Sequence, residues 1–182
     1  MKRPLRSNRC RIAVVVLLCT GATLQSADAH DPGMSSATVT VGIERASAVV
    51  VFAASDLISL GEFDRNGDGR LNSEEIAQAK SELEAVAGDA LALRMDGIRA
   101  AASVVAITVV EAGEEIVMRI DFALPNAVPA EPSGIIEIRS PLAERLPYGH
   151  RVFVRLLNED GTVLHTQLLD RSGELREKLA VR

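Results

Sequence analysis

Asp64-Arg65-Asn66-Gly67-Asp68-Gly69-Arg70-Leu71-Asn72-Ser73-Glu74-Glu75 places oxygen-bearing side chains on alternate positions and closes on a glutamate. The stretch fits D-x-[DN]-x-[DN]-G-x5-E, the pattern of a twelve-residue calcium loop. Calcium is a hard cation that takes six to eight oxygens at about 2.3–2.6 Å from loop positions 1, 3, 5, 7, 9 and 12. Asp64, Asn66 and Asp68 fill the first three. Arg70 at position 7 contributes only its backbone carbonyl, so its side chain can point away from the ion. Asn72 at position 9 is short and suits a contact through water, and Glu75 at position 12 is long enough to bind with both oxygens. Gly69 at position 6 permits the sharp turn because glycine tolerates positive φ.

The flanks support this reading. Leu60 and Phe63 put apolar groups on one face of an incoming helix, and Ile76, Ala79, Leu83 and Val86 recur at helical spacing beyond Glu75. Ser55 or Asp56 can cap the first helix, and Ser73 stands where the second begins. The unit expected is an EF-hand helix-loop-helix over about residues 55–88, with Leu71 at position 8 turned to the core.

Beyond Ala90 the periodicity changes to two. Leu91 to Arg94 leads into Met95-Asp96-Gly97, a strong hairpin signal, and Ile98 to Val110 returns as one long strand. Glu111 to Glu114 forms a turn, after which Ile116, Met118, Ile120 and Phe122 alternate strictly with polar residues. Ile135 to Ser140 reads as a strand, Leu142–Leu146 as a short helical turn, and Arg151–Leu157 with Thr162–Leu169 as a hairpin. Upstream, Ala37–Arg45 and Ser47–Ala53 read as two strands, with a flexible lead-in from His30 to Ser36. The charged tail from Asp170 is expected to be a short helix or a frayed end. Seven or eight short strands with regular turns predict a mainly β fold, an antiparallel β-sandwich carrying the single EF-hand as an α insertion. Residues 30–182 are expected to make one domain.

Composition narrows the partners. Apolar residues make up 47% of the 182 positions but aromatics only 3%, so the core must be built from Val, Ile, Leu and Ala. Residues 1–29 hold five basic groups and one acid, which leaves 15 of the 20 basic and 24 of the 25 acidic groups to the rest of the chain. So acidic a surface, without a basic patch interleaved with aromatics, argues against nucleic acid and anionic membranes. The basic N-terminus, the apolar run Ile12–Leu18 and the small residues Ala27-Asp28-Ala29 predict a secretory signal over 1–29, cleaved after Ala29. The run falls short of the roughly 20 residues that span a bilayer, and no other segment is long and apolar enough. The expected location is therefore periplasmic or secreted. Cys10 and Cys19 both lie in the signal, so no disulfide is expected in the mature chain.

The remaining chemistry is sparse. A second calcium loop aligned on Asn158-Glu159-Asp160-Gly161 would have Leu156 at position 1 and β-like flanks, so that stretch reads as a hairpin turn. Cleavage after Ala29 would give His30 a free amine beside its imidazole, a chelate suited to Cu(II). This makes a copper-handling protein, with the site completed by His150 or His165, the alternative to calcium. No G-x-S-x-G elbow, H-E-x-x-H pair or phosphate loop is present, and no catalytic residue is assigned.

The order of parts, with Asp56-Leu57 running through Glu75 and a weaker likeness from Leu91 to Leu169 that includes Tyr148-Gly149-His150, resembles the N-terminal extracytoplasmic domain of HupE/UreJ-type membrane proteins. Those proteins continue into a transmembrane bundle that this chain lacks, so their nickel transport is not carried over. The resemblance implies an extracytoplasmic module that partners a cell-envelope or surface protein.

Overall fold

The computed structural model describes residues 33–125 and 134–179. The expected signal segment and His30 lie outside them. The fold is mainly β, with two sheets and few helices. Strand β1 (Met34–Val41) pairs antiparallel with β2 (Arg45–Ala53). Helices α1 (Ala54–Ile58), α2 (Ser73–Gln78) and α3 (Lys80–Ala90) follow. Then come β3 (Ala92–Met95), β4 (Ile98–Arg99), β5 (Ala101–Val110), β6 (Glu115–Ala123), β7 (Gly134–Arg139), β8 (Arg151–Asn158), β9 (Val163–Leu169) and β10 (Glu174–Leu179). The larger sheet has the order β5-β6-β2-β1-β8-β9, and the smaller β10-β7-β3-β4.

The alternation in β6 does what its sequence requires. Ile116, Met118, Ile120 and Phe122 are all buried, while Arg119 and Asp121 face solvent. Apolar residues from both sheets and all three helices join in one core cluster. Burial of this kind stabilises by about 25 cal/mol per Å² of apolar surface. Among the described residues, no helix is long and apolar enough to cross a membrane.

Several expectations need correction. The larger sheet is mixed rather than purely antiparallel, because β1 also pairs parallel with β8. Residues 98–110 form two strands: β4 closes a hairpin on β3, and β5 joins the other sheet after the buried Ala100. Periodicity alone does not show such a change of sheet within one apolar run. The tail makes β10, which pairs with β7. Its buried Leu175 and Leu179 stand four apart, a spacing that fits a helix and a strand equally well. The first strand begins at Met34, within what the sequence suggested was a flexible lead-in.

The helical insertion also differs. The incoming helix is only Ala54–Ile58, and Leu60 to Phe63 lie outside any helix. The Ser59 hydroxyl donates to the Asp56 carbonyl at 2.6 Å, taking a helix acceptor, and flexible Gly61 follows. Past the loop, a break at Ala79 (φ −95°, ψ 16°) divides the expected single helix into α2 and α3. The Asp96-Gly97 turn matches its reading, since both residues have positive φ (50° and 79°), as a type I′ hairpin requires.

Candidate functional site

The loop from Asp64 to Glu75 is held by its own side chains. Asp64 Oδ1 accepts from the amides of Gly67 (2.7 Å) and Asp68 (3.2 Å), and its Oδ2 from Gly69 (2.8 Å). Asn66 Oδ1 accepts from the Asp68 amide at 2.8 Å, and Asp68 Oδ1 from the Arg70 amide at 2.9 Å. The Asn66 amide nitrogen donates to Asp68 Oδ2 at 3.1 Å. Gly67 and Gly69 hold φ of 73° and 78°, which lets the chain curl around these acceptors.

Glu75 closes the loop. It lies in the first turn of α2 and is 95% buried, unusual for a carboxylate. Its Oε1 accepts from the amides of Arg65 (2.9 Å) and Asn66 (3.2 Å), ten and nine residues back, and its Oε2 from the Asn72 amide (3.1 Å). Asn72 in turn accepts from the amides of Glu74 (2.9 Å) and Glu75 (3.0 Å), so the two residues form a reciprocal capping box. The six sequence-assigned residues Asp64, Asn66, Asp68, Arg70, Asn72 and Glu75 therefore belong to one closed loop. Their carboxylates are turned onto backbone amides, and among the described residues no three His, Cys, Asp or Glu side chains gather into a metal-holding cluster.

The loop is anchored to the sheet at a place the sequence did not indicate. Leu71, fully buried, donates its amide to the Gly113 carbonyl at 3.1 Å, in the turn between β5 and β6. On the same turn Glu114 pairs with Arg70 at 2.8 Å. Gly113 has φ 93°, and a side chain there would come within 2.8 Å of the Leu71 carbonyl. The loop is thus tied to the larger sheet through the β5–β6 hairpin turn.

The two described histidines, His150 and His165, lie apart from this loop. His165 Nδ1 is 2.9 Å from Glu177 Oε2, joining β9 to β10. His150 is buried, with Nε2 3.1 Å from Ser35 Oγ and Nδ1 3.6 Å from Asp56 Oδ2. The order hydroxyl, imidazole, carboxylate is that of a nucleophilic triad, and sequence reading missed it because Ser35 and His150 are 115 residues apart. Ser35 is 0% exposed on a regular strand, so in this arrangement the trio braces β1, α1 and the start of β8. One signal was available: Ser35 shares the inward phase of Ala37, Val39 and Val41, and a polar group at such a position requires a partner.

Neither the protein-family models nor the curated proteins compared with this chain match it.

Proposed function

We propose that this chain is a calcium-binding accessory module of the cell envelope or exterior, a β-sandwich in which a single EF-hand serves mainly to stabilise the fold. The observation that carries this reading is Glu75, a buried carboxylate reaching back over ten residues to the start of an acidic loop. Position 12 of a calcium loop needs that reach to bind with both oxygens. Asp64, Asn66 and Asp68 stand on the same tightly curled segment, so modest side-chain rotation would exchange amide partners for a cation. Asn72 and the Arg70 carbonyl complete the oxygen set. Asp64, Asp68 and Glu75 bring three carboxylates to that set, each of them here accepting from backbone amides.

The structural role follows from the anchoring. The loop is unpaired, which removes the cooperativity of two hands, and its position-8 amide is tied to the β5–β6 turn. An ion that binds only the folded state adds RT ln(1 + [L]/Kd), about 2.7 kcal/mol at 100 times Kd. For a domain of this size that raises the melting temperature by roughly 5–10 °C. The test is a thermal melt in Ca²⁺ and in EGTA. Wild type should show the shift, Glu75→Gln should fold but show none, and Mg²⁺ should act more weakly. Equal melts of wild type in Ca²⁺ and EGTA would sink the proposal.

A further inference from the structure

The two sheets carry their outward charges differently. On the smaller sheet Arg139 pairs with Glu174 and Arg176 with Glu137, at 3.4 and 3.6 Å, each directly opposite on the neighbouring strand. On the outer face of the six-stranded sheet stand Arg45, Arg119, Arg151 and Arg155, all exposed. Among the described residues none of these four guanidinium groups has an ion-pair partner. The register sets neutral residues beside them. Arg119 lies between Val49 and Ala106, and Arg155 between Thr38 and Thr166. The carboxylates on this face are Glu115 and Asp121, both on β6. The face therefore carries a net positive charge, although the chain outside residues 1–29 holds 24 acidic groups against 15 basic.

The same face is apolar at its centre. Phe153 is 37% exposed between Arg151 and Arg155 on β8, while the other three phenylalanines of the chain are buried. Leu168, 42% exposed, stands directly opposite it on β9. Arginine and aromatic residues are what protein interfaces concentrate, while lysine and the acids are depleted there.

We infer that this face docks a protein partner whose contact surface is acidic around an apolar centre. Phe153 and Leu168 supply the anchor, and carboxylates of the partner meet the arginines around it. Arg151 and Arg155 stand about 13 Å apart along the strand, and Arg119 about 14 Å away across three strand spacings. Cations so spaced, with neutral residues between them, suit separate carboxylates better than the dense charge of a polyanion. The acidic remainder of the chain also repels an extended polyanion. A second copy docked face to face would set arginine against arginine. The inference is independent of calcium.

The experiment is calorimetric titration of the full chain with a synthetic acidic peptide, a Leu-Phe centre flanked by two glutamates on each side, and with its lysine counterpart. The acidic peptide should bind and the lysine peptide should not, with affinity falling as salt is added. All four arginines are exposed, so the double variant Arg119→Gln, Arg155→Gln should keep its melting profile while raising the dissociation constant at least about tenfold. Arg139→Gln with Arg176→Gln changes the net charge equally on the other sheet and should stay within about twofold of wild type. Phe153→Thr should weaken binding with no change of charge. Absence of binding up to about 1 mM peptide overturns the inference, as do equal losses in the two double variants. Heparin or phosphatidylglycerol vesicles that bind more tightly than the peptide, and are indifferent to Phe153→Thr, overturn it in favour of a polyanion.

Discussion

Two loops of this chain are written in nearly the same letters. Asp64–Gly69 reads D-R-N-G-D-G, and Asn158–Gly161 reads N-E-D-G. Both use short polar side chains to hold backbone amides: Asp64 holds three, while Asn158 Oδ1 and Asp160 Oδ1 share that of Thr162 at 2.8 Å each. Both turn through glycines of positive φ. They differ in what closes them. The first is sealed by Glu75 from the helix beyond it, and the second by the β8–β9 ladder, with Gln167 in the corresponding place. A local acidic turn becomes a candidate ion site only when a distant, buried acceptor reaches back to complete it.

The sharpest way to break this contrast is to remove the closing residue from each. Glu75→Ala leaves three amides without their acceptor, opens the capping box and empties a buried position. It should cost about 2–4 kcal/mol of stability even with calcium chelated. Gln167→Ala removes only an exposed bond to the Glu174 carbonyl at 3.2 Å and should stay within about 0.5 kcal/mol. Urea melts of both variants in EGTA check the pair. Equal costs would mean that Glu75 has no special place in the loop.

The same contrast shows what the sequence could and could not reveal. Hydrophobic period and turn glycines are local, and they located most of the strands and the Asp96-Gly97 hairpin, though not the division of 98–110 into β4 and β5. Three features escaped because they depend on sequence-distant partners. The parallel β1–β8 pairing joins residues more than a hundred positions apart. The Leu71–Gly113 bond depends on where β5 and β6 turn. The Ser35–His150–Asp56 brace needs three separate segments to meet. The tail strand escaped for another reason: Leu175 and Leu179 satisfy both periods, and only pairing with β7 decides between them.

Glycine replacement gives the next effect in size. Gly113→Ala forces a side chain at φ 93° and meets the Leu71 carbonyl at 2.8 Å, so it strains the backbone and pushes the loop off its anchor. The expected cost is about 2–3 kcal/mol. Gly161→Ala bears the backbone strain alone (φ 84°), since no atom lies within 4 Å of the added carbon, and about 1 kcal/mol is expected. If calcium stabilises through the same anchor, Gly113→Ala should also lower calcium affinity while Gly161→Ala leaves it unchanged. Calorimetric titration of both variants tests this.

The smallest effect separates what Arg70 does with its backbone from what it does with its side chain. Its guanidinium pairs with Glu114 at 2.8 Å, but both side chains are at least half exposed, and ion pairs in that setting contribute about 0–1 kcal/mol. The calcium reading asks only for its carbonyl. Arg70→Ala should therefore shift stability by less than about 0.5 kcal/mol and the calcium dissociation constant by less than about twofold. Double-mutant cycles with Glu114→Ala isolate the pair. A loss of affinity beyond about tenfold, equivalent to 1.4 kcal/mol, would mean that the bridge to the β5–β6 turn positions the loop for the ion. The anchor would then rest on the charged pair as well as on the Leu71–Gly113 bond, and the loop's geometry would depend on the sheet more than on its own twelve residues.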